Sequence, residues 1–170
     1  MDIYEAIRLR KSVRDFTDRE VPEAVIQRLI EAARIAPSAS NRQEWRFVTV
    51  RKPGTRRAIS EAAFGQSHVA QAPVVLVCCA ETDMHVMDCG QPCYPMNVSI
   101  AMTHIILCAA AEGLGTCWIG AFNENQVKKI LGIPEAIRVV GLLLLGYPID
   151  PEPEEKNRLP LEKIVKYEHW

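Results

Sequence analysis

The sequence lacks a charge bias, an unbroken apolar run and an export signal. Its 170 residues carry a formal net charge of −1, so no overall positive field favours nucleic acid or an anionic membrane. The most apolar stretch, residues 96–115, contains Asn97, His104 and Glu112, which a lipid-spanning helix seldom carries. The chain begins MDIYEAIRLRKS, without the apolar segment of a signal peptide. We therefore expect a cytoplasmic protein that binds neither nucleic acid nor a membrane.

Six cysteines are present, but they do not form the pattern of a disulfide framework or of a complete metal site. Without an export signal, a set of structural disulfides is not expected. Cys89 and Cys93, in the sequence CGQPC, could bind a metal, although no second pair or nearby histidine completes the ligand set. We expect reduced thiols. A cysteine-based redox or metal protein stays open as an alternative.

The common motifs of catalysis and nucleotide binding are also missing. Residues 113–122 (GLGTCWIGAF) have glycines at the wrong offsets for a dinucleotide fingerprint, and they follow a helix rather than a strand. No phosphate-cradling P-loop, nucleophile elbow or histidine-rich metal pattern occurs. His104 lies in an apolar helical segment, where we expect a hydrogen-bonded core residue rather than a base.

Apolar periodicity predicts one domain of residues 1–170 in which helices and strands alternate. Asp2 with Glu5, and Asn123 with Gln126, have the spacing of helix capping boxes. We predict helices at about residues 3–9, 22–36, 55–63, 95–112, 124–132 and 161–167, and strands at 46–51, 73–80 and 138–145, with a short strand or turn at 116–119. The fold class is α+β, with a few central strands and helices on both sides. The helix at 95–112 is apolar almost all round, so a partner subunit is a natural source of cover for it.

Four cations surround one hydroxyl near the N-terminus: Arg8, Arg10, Lys11 and Arg14 around Ser12. Arginine forks and a hydroxyl suit phosphate, to which they give charge-assisted hydrogen bonds. The alternative is a solvated basic face after a helix C-terminus.

Two further segments are weak signals by themselves. Lys156 and Arg158 form an ordinary tail charge pair, unless the fold brings them and the N-terminal cations round one anion. The loop at residues 37–45 (PSASNRQEW) combines small hydroxyl residues with Asn41, so its backbone can approach a planar ligand closely. The alternative for this loop is a helix-ending turn followed by an anchoring tryptophan.

Taken in order, these segments resemble the nitroreductase family of enzymes that use flavin mononucleotide (FMN). The resemblance rests on Arg10, Lys11, Ser12 and Arg14, on Pro37, Ser38, Asn41, Gln43 and Trp45, on GLGTCWIG after a long helix, and on Lys156, Arg158 and Pro160. The match covers essentially the whole chain, with the order and spacing of the family. It implies a nitroreductase-like fold, with a central mixed or antiparallel sheet flanked by helices and the long helix at a homodimer interface.

The resemblance also implies which residues bind FMN. The phosphate would be held by Arg10, Ser12, Lys156 and Arg158, with Lys11 and Arg14 reaching ribityl or ring atoms. The loop residues Ser38, Ala39, Ser40 and Asn41 would contact the flavin from the other subunit. The ring would be lined by Trp118, Ile119, Gly120 and Ala121, with the backbone N–H of Gly120 directed at flavin N5 and Gln66 at the pyrimidine edge. Glu44 stands where proline is common in the family.

The implied reaction is hydride transfer from NAD(P)H through FMN N5 to a small-molecule acceptor, such as a nitroaromatic or a quinone, by a ping-pong mechanism. It requires no side-chain acid or base, which agrees with the missing catalytic motifs. Two alternatives stay open: a flavin-binding carrier or sensor without NAD(P)H turnover, and another chemistry of the same fold, such as reductive dehalogenation.

Overall fold

The computed structural model describes all 170 residues. The helices are α1 (Ile3–Leu9), α2 (Glu23–Arg34), α3 (Pro53–Ala62), α4 (Ser67–Gln71), α5 (Cys93–Ala111), α6 (Glu124–Leu131) and α7 (Leu161–Ile164), and the strands are β1 (Trp45–Val50), β2 (Val74–Glu81), β3 (Gly115–Ile119) and β4 (Ile137–Gly146). A single 3₁₀ turn, Ala39–Asn41, precedes β1.

Both predicted capping boxes begin helices. The Asp2 carboxylate accepts a hydrogen bond from the Glu5 N–H at 2.8 Å, and the Asn123 side chain accepts one from the Gln126 N–H at 3.0 Å. Gly132 ends α6 in the left-handed conformation, with φ of 66°, which glycine adopts without steric cost.

The four strands form one sheet in the order β1-β2-β4-β3, and every neighbouring pair is antiparallel. β1 and β3 are therefore the two edges. The predicted α+β class is confirmed, with a sheet that is antiparallel throughout rather than mixed.

Helices cover both faces of the sheet. On one face, α2 and α5 pack with side chains such as Leu76 and Leu143. On the other face, α3, α4 and α6 pack with neighbours of the opposite orientation, such as Val75 and Leu142. Successive side chains of a strand point to opposite faces. Since both faces are covered, every residue of β2 from 74 to 80 is buried, as its unbroken apolar sequence predicts.

Helix α5 is 19 residues long with a mean hydropathy of 1.4, enough by length and composition to cross a membrane. A core helix satisfies the same criteria, and α5 contacts α1, α2 and all four strands. Its buried side chains include Val98, Met102 and Ile105. Met96 and Ile100, one turn apart, remain 39% and 38% exposed, so one side of α5 is left uncovered by its own chain.

Several predicted boundaries are wrong. Helix α4 is absent from the prediction, because five residues are too short to show a helical period. Helix α5 begins at Cys93, two residues early, because Pro95 fits within a first helical turn. Helices α2 and α7 end at Arg34 and Ile164, each before its predicted limit.

Candidate functional site

The basic segment after α1 is fixed along the edge of the sheet. The Val13 N–H donates to the Thr116 carbonyl at 2.8 Å, and the Thr17 N–H donates to the Tyr147 carbonyl at 2.9 Å. Ser12 forms a parallel bridge with Thr116. The segment thus lies beside β3 like a short additional strand, which places Ser12 and its neighbouring cations at one corner of the sheet.

The C-terminal tail crosses this corner and brings the second basic group to the first. The Lys156 ammonium donates to the Arg10 carbonyl at 2.8 Å across 146 positions of sequence. The Lys11 ammonium donates to the Glu152 carbonyl at 2.7 Å and lies 3.9 Å from the Asp150 carboxylate. The structure therefore places the two cationic segments together within one chain.

The positive charge at this corner is only partly compensated. Burial lowers the pKa of Lys156, and the nearby charges of Arg10 and Arg158 lower it further, against an opposing effect of Glu154. No salt bridge includes Arg10, Arg14 or Arg158. Crowded cations without carboxylate partners are the arrangement that a phosphate group stabilises.

An open groove of about 250 Å³ lies next to this corner, beside Lys11 and Arg14 rather than beside Arg10, Lys156 or Arg158. It is lined by Lys11, Ser12, Val13, Arg14, Asp15, Asp150 and Glu154. Its hydroxyl and two cations can hold an anion. Its three carboxylates restrict where that anion can lie.

The positive charge of Arg14 acts on residues of α4 and β3. Burial lowers the pKa of His68, and the positive charge of Arg14 lowers it further. Arg14 also lowers the pKa of the Cys117 thiol, against the larger, opposite effect of burial. The His68 Nε2 is buried without a hydrogen-bond partner. Arg14 thus supplies positive charge near both α4 and β3, and His68 is a neighbour of Arg14 that the sequence did not reveal.

The segment after β3 presents an accessible backbone. A side chain built at Gly120 would meet no atom within 4 Å, and the Gly120 N–H donates to no other backbone group. The Gln66 side-chain amide donates to the Ala121 and Ala63 carbonyls, each at 2.9 Å. Gln66 thereby fixes the Ala121 carbonyl, one residue after Gly120, and keeps its own side-chain oxygen as an acceptor.

Trp118 and Ile119 differ in exposure. Trp118 is 37% exposed, whereas Ile119 is 4% exposed and belongs to the core. Gly141 of β4 permits this placement, since a Cβ there would lie 2.9 Å from the indole Nε1 of Trp118. Of these two predicted ring contacts, Trp118 offers its side chain, while Ile119 offers only backbone.

The loop of residues 38–43 has an unusual backbone. Ser40, Asn41 and Gln43 have φ values of 50°, 56° and 50°, a region that costs free energy for residues other than glycine. The Gln43 N–H donates to the Ser38 hydroxyl at 3.0 Å. Such a conformation persists only where the surroundings hold it.

This loop and the basic corner lie at diagonally opposite corners of the sheet. The loop enters β1 at Trp45, which is level with Ala80 and Arg138, whereas Ser12 lies beside Thr116, level with Leu145 on β4. Strand spacings put the two corners about 19 Å apart across the sheet and about 23 Å apart along it. Ser38, Ala39, Ser40 and Asn41 are therefore not brought to Arg10 and Lys156 within one chain.

His104 and the two cysteines of the CGQPC segment lie away from the basic corner. The His104 Nδ1 lies 3.0 Å from the Ala32 carbonyl of α2, so the predicted hydrogen bond is present, although the residue is half-buried rather than part of the core. All six cysteines are free; Cys89 is exposed and Cys93 is buried. The two thiols of the CGQPC segment thus face different surroundings.

The comparisons with known proteins agree with this geometry. The family model described as the nitroreductase family matches residues 7–86 and 64–147. The NADH dehydrogenase of Thermus thermophilus is 34% identical over 196 residues, which span 97% of this chain and 95% of that protein. The FMN reductase [NAD(P)H] of Bacillus subtilis is 32% identical, over 99% of this chain and 74% of that protein. The crystal structure of a nitroreductase family protein from Clostridium difficile 630 superposes with a TM-score of 0.89 at 29% identity, over the whole of both chains.

The family model and the relatives together define the class, which is that of FMN-dependent NAD(P)H oxidoreductases. The chain belongs to the nitroreductase family. The resemblance and the enzyme class expected from the sequence are thereby confirmed.

Proposed function

We propose that this chain is an FMN-dependent NAD(P)H oxidoreductase whose phosphate site is the corner where the tail meets the basic segment. The observation that carries the proposal is the contact of Lys156 with the Arg10 backbone, which gathers Arg10, Lys156 and Arg158 without carboxylate partners. Ser12 supplies the hydroxyl at the same corner. These four residues fit a phosphate monoester by charge and by donor chemistry.

The far end of β3 fits the other end of the same ligand. Trp118 is partly exposed, and the Gly120 N–H is left without a backbone acceptor. We propose that this N–H donates to flavin N5, that Ile119 and Ala121 contact the ring through backbone, and that the Gln66 oxygen faces the pyrimidine edge. Lys11 and Arg14 would act between the two ends.

Bound FMN would supply hydride-transfer chemistry between NAD(P)H and a small-molecule acceptor such as a nitroaromatic or a quinone. The protein's own groups bind and orient; none is required to move a proton. Because an open strand end offers one slot to both substrates in turn, we expect ping-pong kinetics. The FMN reductase [NAD(P)H] of Bacillus subtilis, a relative over nearly the whole chain, supports both the cofactor and the co-substrate.

We also propose a homodimer. The loop of residues 38–41 is too far from the basic corner of its own chain, so it can contact bound FMN only if the loop belongs to a second chain. The uncovered side of α5 around Met96 and Ile100 is available for that contact. The tail exposes five large apolar residues: Leu159, Leu161, Ile164, Tyr167 and Trp170. Apolar surface of this extent is typical of a subunit interface. The cytoplasmic location expected from the sequence belongs to the same proposal.

The proposal is tested by absorbance spectroscopy of the protein with bound FMN, before and after anaerobic addition of NADH or NADPH. We expect a flavin spectrum that one of the two nucleotides bleaches and a quinone restores. A stably bound flavin that neither nucleotide reduces would instead indicate a carrier or sensor. A protein that takes up no FMN would contradict the proposal altogether.

A Lys156→Ala/Arg158→Ala variant tests the phosphate corner itself. It should retain FMN at least about a hundredfold less tightly than the wild type, because two charge-assisted contacts are removed. Arg57→Ala/Lys129→Ala is the matched control, since both cations are exposed, on α3 and α6, and belong neither to this corner nor to the tail. Equal retention by both variants would move the phosphate site elsewhere.

A further inference from the structure

Glu44 is a buried carboxylate at the end of the strained loop, with 4% of its surface exposed. Its two oxygens accept hydrogen bonds from the Thr82 hydroxyl and the Asn97 side-chain amide, each at 2.6 Å. Arg42 Nε lies 3.7 Å away. A buried carboxylate is tolerated only with such partners, so Glu44 joins its loop to the end of β2 and to α5.

Asn97 connects Glu44 to the loop backbone through a second hydrogen bond. It is 2% exposed, and its side-chain oxygen accepts the Ala39 N–H at 2.9 Å. An asparagine amide donates from its nitrogen and accepts at its oxygen. Because a carboxylate can only accept, Glu44 fixes the Asn97 nitrogen towards itself and so directs the Asn97 oxygen at Ala39.

The Ala39 peptide is where the strained loop needs an anchor. Ser40 and Asn41, the next two residues, both have positive φ, and relaxed chains seldom hold two such residues in succession. The Gln43 N–H to Ser38 hydroxyl bond closes the loop on itself, whereas the Asn97 bond ties it to the core. Without that tie, residues 38–41 are free to leave the observed conformation.

We infer that Glu44 is a positioning residue: acting through Asn97, it holds residues 38–41 in the conformation that contacts the partner subunit's flavin. The flavin contact rests on the proposed function, whereas the link from Glu44 to the Ala39 peptide rests on the hydrogen bonds alone. Glu44 itself touches no cofactor.

The test exploits a swap of donor and acceptor. Asn97→Asp alone sets two carboxylates against each other, and Glu44→Ala removes the acceptor of the Asn97 amide. In the double variant Asn97→Asp/Glu44→Gln, the introduced glutamine amide donates to the introduced aspartate. The glutamine oxygen still accepts from Thr82, and the aspartate still accepts from the Ala39 N–H. Each variant is measured as folded protein, by hydrogen exchange at the Ala39 amide and by titration of the apoprotein with FMN.

We expect Asn97→Asp and Glu44→Ala each to speed hydrogen exchange at the Ala39 amide. Each should also raise the FMN dissociation constant about tenfold, because the loop loses the free energy of roughly one hydrogen bond. The double variant should restore both readouts to within about twofold of the wild type. Additive losses in the double variant would overturn the inference, as would unchanged exchange at Ala39 in the single variants. If Glu44→Ala does not fold, the comparison of Asn97→Asp with the double variant decides by itself.

Two controls distinguish an effect on the loop from a general loss of stability and from a failure of the proposed function. Ile26→Val removes one buried methyl group from α2, where Ile26 is fully buried, and should lower stability without changing either readout. Wild-type apoprotein is titrated first: if it binds no FMN, the proposed function and the flavin contact of residues 38–41 are both wrong. Exchange at Ala39 still decides in that case whether Glu44 fixes the loop.

Discussion

At the scale of single residues, two glycines determine how closely the basic segment approaches the sheet. A Cβ at Gly115 would lie 2.6–2.9 Å from the side-chain carbons of Val13, and one at Gly146 would lie 2.6 Å from Pro73 and 2.8 Å from Phe16. Contacts this short do not occur between real side chains and a rigid backbone. Both positions therefore fix the path of residues 12–17.

Gly115→Ala should displace the segment that carries Ser12 and Arg14. We expect a loss of about 1–3 kcal/mol in the free energy of unfolding, from overpacking, and weaker FMN binding. Urea denaturation and FMN titration measure the two effects. Gly54→Ala is the control, because a Cβ there meets only the flexible end of Arg57 at 4.0 Å; it should leave both quantities nearly unchanged. Equal behaviour of the two variants would show that close packing at Gly115 is unimportant.

Residue identities alone reveal the cations of the site but not the network that holds its loop. Arg10, Ser12, Lys156 and Arg158 stand in recognisable motifs. Glu44 is noticeable only as a departure from the family, and its partners Thr82 and Asn97 lie 38 and 53 positions away. Hydrogen bonds between residues so far apart in sequence depend on the tertiary fold, so no local sequence pattern predicts them.

At the scale of elements, local signals decide what the sequence predicts well. Helices α1 and α6 have capping residues and turns that depend on near neighbours, and strand β2 is an unbroken apolar run. Helix α4 has no such signal. Its C-terminal carbonyls, including that of Ala70, accept hydrogen bonds from Arg56 of α3, so a contact between helices stabilises it.

The burial of β2 gives the protein a pH dependence in the alkaline range. Burial, and to a smaller extent the charge of Glu124, raises the pKa of the Cys79 thiol from 9.0 to about 11. Between these values the unfolded chain loses this proton while the folded chain keeps it, so the free energy of unfolding falls as pH rises from about 9 to about 11.

We expect Cys79→Ala to lose less stability than the wild type between about pH 8 and pH 10, since alanine has no proton to lose. The measurement is the urea midpoint of both proteins at the two pH values. Cys89→Ala is the control, because Cys89 is exposed; it should follow the wild type. A Cys79→Ala protein with the wild-type pH dependence would contradict this account.

At the scale of the whole molecule, the sheet separates two groups that the proposal assigns to one cofactor. The basic corner and the loop of residues 38–41 lie about 30 Å apart along the diagonal of the sheet. Sequence motifs carry no information on such distances, although the order of the motifs along the chain is enough to indicate the family and the fold. In the proposed homodimer, a second chain would bring the two groups to one cofactor.

Ile100→Glu tests that arrangement. A charge on the uncovered side of α5 should convert a dimer into monomers in sedimentation analysis, because burying an unpaired carboxylate at an interface is strongly unfavourable. FMN binding should weaken at least about tenfold in parallel. Asn125→Glu adds the same charge to an exposed position of α6 and should change neither property. Monomers that bind FMN as tightly as the wild type would show that each chain holds the cofactor alone.

The central claim is that Arg10, Ser12, Lys156 and Arg158 gather round a phosphate group. Its most direct test is a comparison of FMN with riboflavin, which has the same ring and lacks the phosphate, by fluorescence titration of the apoprotein. We predict that FMN binds at least about a hundredfold more tightly, the contribution of two charge-assisted hydrogen bonds. Equal affinities for the two flavins would contradict the account.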